Sequence, residues 1–223
     1  MSLKPLKAST QKKLKAAMQK KRKKIEKLHE LPPYIVIFSE GIKTEPFYIR
    51  GLTKQVNQKY AQFTSGDRIT VIGTGRNTRS LLKYARETVD AKYPGCEDVW
   101  LMYDKDDFPY DDFDNTQFSA EGRTCQQKYH VAWSNECIEL WFLLHFQSLF
   151  AHVGREQYHD ILKGYFQYEK TSENIYDLLK DKTPTAIAHA KALYASYEEG
   201  TPPSQRTPAT RVHELVGFLH GYL

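Results

Sequence analysis

Two short apolar runs in this chain stop abruptly at carboxylates. Residues 34–38 lead into S-E-G at 39–41, and residues 99–103 lead into D-K-D-D at 104–107. Runs of this length without polar alternation are the pattern of strands buried on both faces, as in a parallel sheet. Two further strands are expected at 68–72 and 131–133. Between them lie stretches with helical spacing. Pro46 sits where a first helical turn tolerates it, with Phe47, Ile49 and Leu52 behind it. Leu81, Leu82, Ala85 and Val89 mark a helix over 78–93, and another is expected near 115–128. The resulting order, βαβαβαβα, predicts an α/β fold: a mostly parallel four-stranded sheet with helices on both faces. Residues 137–146 are apolar almost all round, which marks a buried helix. Beyond residue 150 only helical patterns recur, near 155–166, 174–181, 184–198 and 209–220. The expected division is therefore a tail over 1–31 closed by Pro32 and Pro33, an α/β domain over 32–150 and a helical subdomain over 151–223.

Charge changes this picture at one end only. Residues 1–30 hold ten Lys and Arg22 against Glu26 and Glu30, a balance of +9, while the whole chain of 223 residues is +5, so the rest carries −4. A tail that includes Lys21, Arg22, Lys23 and Lys24 can neutralise phosphates and release their counterions. It can equally remain a solvated segment without a fixed partner. With 40% hydrophobic and 13% aromatic residues the remainder has enough apolar side chain for a packed core. No apolar run reaches the roughly 18 to 20 residues that span a bilayer, and the N-terminus lacks a secretory pattern. No membrane association and a cytoplasmic location are the expectations. Cys96, Cys125 and Cys137 form no C-x-x-C pair, which speaks against a disulfide framework or structural zinc.

The candidate chemistry follows from the strand ends, because ligands of open α/β sheets collect at the carboxyl ends of the strands. If the first and third strands are neighbours, Glu40, Asp104 and Asp106 converge. Asp104 and Asp106 are two apart and so can share a direction. Close carboxylates repel one another unless a cation neutralises them, and an oxygen-only set favours Mg²⁺ or Mn²⁺. The alternative for a D-x-D is an exposed acidic turn. Glu45 either joins the acidic set or complements a helix dipole. Glu139, alone in its apolar helix, must meet a partner or face the acidic site. Ser134 and Asn135 read as helix caps. Lys43 can contact a phosphate or pair with an acid. G-T-G-R-N-T-R-S at 73–80 fits neither a P-loop nor a dinucleotide fingerprint. It feeds a helix N-terminus where Arg76 and Arg79 can meet phosphate, or where Asn77 or Thr78 simply caps the helix. H-E-L-V-G at 213–217 has Gly217 where a zinc protease needs its second histidine.

Taken together, S-E-G-I-K-T-E, M-Y-D-K-D-D-F, S-N-E-C-I-E-L-W-F-L-L-H-F and P-A-T-R-V-H-E-L-V, in this order over about 34–220, resemble the RloB family, whose members resemble Toprim-domain nucleases. The resemblance implies a Toprim-like fold, with the glutamate after the first strand at Glu40 and the D-x-D after the third at Asp104 and Asp106. It further implies a Mg²⁺-dependent nuclease of bacterial phage defence acting on nucleic acid (tRNA, other RNA or DNA), often beside an ATPase partner. The alternative is a non-catalytic nucleic-acid-binding or partner-binding subunit on the same fold. A homo-oligomer is compatible with either. Glu136 departs from the proline expected in S-N-P-C, and Ile138 from an expected aromatic residue.

Overall fold

The computed structural model describes residues 8–28, 31–106 and 109–223. The tail forms a helix, α1 (Ala8–Leu28), in which Leu14 and Met18 are exposed. Then β1 (Ile35–Ser39), α2 (Thr44–Tyr60), β2 (Ile69–Gly73), α3 (Thr78–Lys92), β3 (Asp98–Asp104), α4 (Tyr110–Glu121) and β4 (Lys128–Asn135) alternate as the apolar pattern predicts. They are followed by α5 (Glu139–Leu143), α6 (Arg155–Lys163), α7 (Ile175–Leu179), α8 (Thr183–Ala195), a two-residue strand β5 (Ala209–Thr210) and α9 (Val212–His220). No helix among the described residues is long and apolar enough to cross a membrane.

Among the described residues the sheet has five strands in the order β2-β1-β3-β4-β5, with β1 to β4 parallel and β5 antiparallel to β4. It is therefore mixed, and the expected count of four is corrected to five. The extra strand lies within a stretch whose spacing reads as helix. Two residues are too few to carry a period, and β5 is held by contacts remote in sequence. The Thr210 hydroxyl donates to the Trp133 carbonyl at 3.1 Å and lies 3.1 Å from the Ser134 hydroxyl, and the Arg211 N–H donates to the Trp133 carbonyl at 2.8 Å. Ser134 is thus a strand residue buried against β5, not a helix cap. Asn77 does cap α3, its side chain accepting from the Ser80 N–H at 3.1 Å.

Strand alternation sorts the core into two layers. Val36, Phe38, Leu101, Tyr103, Val131 and Trp133 face one side, where α3 and α4 cover them with Leu81, Ala85, Val89 and Phe113. Ile35, Ile37, Trp100, Met102 and Ala132 face the other, against α2, α5 and the helices after residue 150. Those later helices share a continuous apolar core with the sheet through Tyr158, Leu179, Ala190 and Leu215. The helix expected at 137–146 is shorter than its apolar run, but Leu140 to Leu144 are fully buried as that run predicts.

Register sets up the site. β1 and β3 are parallel neighbours with Ser39 opposite Met102, and the Glu40 N–H donates to the Met102 carbonyl at 2.8 Å. Glu40 and Asp104 therefore leave the sheet side by side at its carboxyl edge. The loop after β2 closes over the same edge: the Thr74 N–H donates to the Ser39 carbonyl at 2.9 Å and the Gly75 N–H to the Glu40 carbonyl at 2.8 Å. Gly73 permits that closure, since a Cβ there would lie 2.9 Å from the Gly41 carbonyl oxygen. The glycines of G-T-G serve this close packing and the positive φ of 65° at Gly75.

Candidate active site

At the carboxyl edge of β1 and β3 lies a cavity of about 280 Å³. Among the described residues its lining includes five carboxylates, Glu40, Glu45, Asp104, Asp106 and Glu139, against three cations, Lys43, Arg155 and Lys170. The acids arrive by several local rules. Asp104 ends β3 and Glu40 directly follows β1. Glu45 stands in the first turn of α2, where a carboxylate favours the helix dipole. It is nevertheless only 8% exposed and turned inward. Glu139 opens α5 and accepts from the Tyr168 hydroxyl at 2.9 Å, with the Lys170 ammonium at 4.0 Å. The buried carboxylate that the sequence leaves without a partner thus meets a tyrosine and a lysine inside the acidic cavity.

Asp106 reaches the cavity by a different route from the one its spacing suggests. β3 ends at Asp104, and Asp106 lies in a turn with φ 43°, a left-handed conformation that aspartate tolerates better than most residues. There its carboxylate pairs with the Arg155 guanidinium. Strand alternation therefore does not place it. Asp106 thus lies in an acidic turn that also borders the cavity. Asp107 lies outside the described residues.

Burial and mutual repulsion dominate the electrostatics. Desolvation pushes the Glu40 carboxyl up to about 7, with Glu45 adding to the rise, while the Asp104 N–H, the Thr78 hydroxyl and Arg155 act against it. The Thr78 hydroxyl lies 3.5 Å from Glu40 Oε2. Asp104 is raised well above the usual carboxylate range, first by burial and then by Glu45 and Glu139. The Ile138 N–H, donating to its Oδ2 at 3.1 Å, and Arg155 oppose that shift. Glu45 is raised by burial and by Glu139, against Lys170 and Arg155.

These shifts make a stability prediction with a definite sign. Glu40 binds its proton more tightly in the folded chain than in the unfolded one, whose ordinary value is 4.5. The metal-free protein therefore loses stability as pH rises from about 4.5 through about 7. Glu40→Gln is expected to weaken this dependence and to gain about 1–2 kcal/mol at about pH 8 while changing little at about pH 5. Urea denaturation at the two pH values measures it. Equal gains at both would show that solvent already relieves Glu40.

The remaining sequence candidates separate. Lys43 is exposed at the cavity rim. Arg76 stacks its guanidinium 4.2 Å from the Tyr84 ring centre, and Arg79, 81% exposed, pairs with Asp112 at 3.6 Å. Neither lines the cavity. Lys21 and Arg22 are exposed on α1, and the side chains of Lys23 and Lys24 lie outside the described residues. Arg155, Lys170 and Tyr168 are additions from the fold. No local motif flags them, because each meets its carboxylate across a separation of about 30 residues or more.

The donor set is oxygen throughout and carries excess negative charge, which suits a hard divalent ion such as Mg²⁺ or Mn²⁺. Among the described residues no three acidic, histidine or cysteine side chains are disposed around one point, since Asp106 is turned to Arg155 and Glu139 to Tyr168 and Lys170. The residues fit such an ion by chemistry, and Asp106 must turn from Arg155 to join it. His213 does not line the acidic cavity; its Nδ1 donates to the Thr210 carbonyl at 2.9 Å, and burial lowers its pKa.

Neither the curated proteins nor the solved structures contain a significant match to this chain. Residues 35–219, which include both layers of the fold and every residue of the acidic cavity, match RloB, the RloB-like protein family, and the chain belongs to that family.

Proposed function

We propose that the chain is a metal-dependent phosphodiesterase, a nuclease with a Toprim-like arrangement of Glu40, Asp104 and Asp106, serving as the effector of a bacterial anti-phage system in the cytoplasm. The observation that supports this most is the set of five carboxylates on a cavity at the carboxyl edge of a largely parallel sheet, two of them from neighbouring strands. An exposed acidic turn would not bury Glu45 and Glu139 beside Asp104 at a cost in repulsion. A Mg²⁺ or Mn²⁺ ion held by Glu40, Asp104 and Asp106 would supply Lewis-acid charge to a phosphate oxygen.

The protein's own groups carry the rest. Lys43, Arg155 and Lys170 attract the phosphate into a cavity that is otherwise acidic. Glu40 would help hold the ion or else act as general acid–base, its carboxyl oxygen taking a proton from an attacking water or passing one to the departing oxygen. The Thr78 hydroxyl orients that carboxyl, and the Ile138 N–H orients Asp104. The basic face of α1, with Lys21 and Arg22, would hold the nucleic-acid backbone without reading its sequence. An ATPase partner and a homo-oligomer are compatible with this role.

The test is cleavage of labelled tRNA, single-stranded RNA, and single- and double-stranded DNA with Mg²⁺ or Mn²⁺, alone and with an ATPase encoded beside the gene. Metal-dependent cleavage of one class that disappears in Glu40→Ala supports the proposal and names the substrate. Binding without cleavage under every condition, unchanged in that variant, would replace it with the non-catalytic subunit.

A further inference from the structure

Two of the cations lining the acidic cavity stand beside carboxylates. Arg155, the first residue of α6, grips Asp106, and Lys170, in the segment before α7, stands beside Glu139. The Lys170 carbonyl accepts from the Thr44 hydroxyl at 2.7 Å, which fixes this segment over the start of α2. Both cations come from chain that follows α5, while Glu40 and Asp104 come from the sheet edge. One wall of the cavity thus neutralises charge presented by the other. Arg155 also acts electrostatically on Glu40, Glu45 and Asp104.

This arrangement sets up a competition. On the metal-site reading Asp106 would be a ligand of the divalent ion, and Arg155 holds it. A phosphodiester presents oxygens to a guanidinium much as a carboxylate does, and charge-assisted forks of either kind are strong. Arg155 is 43% exposed at its side chain and Asp106 33%, so the pair is open to an incoming phosphate. Arg155 meets Asp106 through Nη2 alone, and a phosphate that approaches this edge of the guanidinium competes for it.

We propose that Arg155 is a substrate-released latch on the metal site. In the free protein it holds Asp106 away from the other strand-edge acids. A phosphate of the nucleic-acid backbone takes over the guanidinium and frees Asp106 for the divalent ion. Metal and substrate then bind with positive coupling, which is reciprocal: each raises the other's affinity by the same factor. This rests on reading the cavity as a metal-dependent phosphodiesterase site. It adds a regulatory property, that the site assembles on substrate and stays poorly loaded without it.

The experiment is calorimetric titration of Mn²⁺ into the full chain, with melting temperature recorded for each variant. Wild type alone is expected to bind Mn²⁺ weakly. A short single-stranded phosphorothioate oligonucleotide, its own Mn²⁺ uptake subtracted, is expected to tighten binding about tenfold, within the usual range of coupling between sites. Arg155→Gln is expected to bind Mn²⁺ about tenfold more tightly without oligonucleotide and to lose most of the oligonucleotide effect. Arg155→Lys, which keeps the charge but not the planar guanidinium, is expected to fall between them. Equal Mn²⁺ affinity in wild type, Arg155→Gln and Arg155→Lys, with no oligonucleotide effect, would overturn the latch while leaving the metal site intact. Absence of Mn²⁺ binding in every arm would overturn the latch together with the reading it rests on. The wild-type comparison needs no variant, so misfolding of one cannot shield the proposal.

Discussion

Asp104→Asn is expected to lower metal-dependent cleavage by about a hundredfold to a thousandfold while leaving the chain folded. Asparagine keeps the shape of the side chain and an acceptor oxygen for the Ile138 N–H, now at 3.1 Å from Oδ2. It removes the negative charge, and a single preorganised charge or donor at a reacting phosphate contributes about this much to rate. The same change should have the opposite effect on stability. Burial, Glu45 and Glu139 already disfavour the ionised form of Asp104. Removing that ionisation should therefore make the metal-free chain more stable above neutral pH, by on the order of 1–3 kcal/mol. Gain of stability with loss of activity is the signature of a strained functional carboxylate. Initial rates on the cleaved substrate, with urea midpoints in parallel, test both halves. A variant that cleaves at the wild-type rate removes Asp104 from the mechanism, and one that is merely destabilised assigns it a structural role.

Arg211→Ala should produce the largest loss of stability outside the apolar core, about 2–3 kcal/mol. Arg211 is the first residue after β5, and its guanidinium lies 2.7 Å from Glu121 on α4 and 2.7 Å from both carboxylate oxygens of Glu214 on α9. Its N–H donates to the Trp133 carbonyl of β4. One side chain, 13% exposed, thus ties α4 to α9 and neutralises two acids, while the contact to β4 is made by its backbone. Truncation leaves both acids unpaired. The expected cost sits toward the lower end for a buried pair because Glu121 and Glu214 keep about a third of their side chains in water. For a chain of this size the loss corresponds to a fall in Tm of roughly 4–12 °C. Cleavage by the variant below its melting transition should be retained, since the pair does not line the cavity. A shift under about 1 °C would mean that solvent already screens the triad.

The two predictions concern motifs that read alike in the sequence. Both M-Y-D-K-D-D-F and P-A-T-R-V-H-E-L-V combine apolar and charged residues at an element boundary. The first faces a cavity and the second is closed on itself, and that difference lies in three dimensions. Similarly, G-T-G-R-N-T-R-S looks suited to phosphate, yet its first glycine serves the close approach of two loops. Arg76 lies over a tyrosine and Arg79 pairs with an acid. Ser134 has the composition of a helix cap and the place of a strand residue.

The sequence by itself determined the alternating α/β order and placed Glu40 and Asp104 at the carboxyl ends of their strands, while the pairing of β1 with β3 that brings the two together was decided by the tertiary structure. The order and the strand ends follow from local rules: short buried apolar runs make strands, helical spacing makes the crossovers, and right-handed crossovers align strand ends. Only the tertiary structure decided that β5 adds an antiparallel edge and that the helices after residue 150 share the core of the sheet. It alone turned Asp106 to Arg155 and brought Tyr168 and Lys170 to Glu139. Each of these pairings joins residues far apart in the chain. Their stability comes from charge and packing between elements, and no period, cap or turn in either segment records which partner the other will meet.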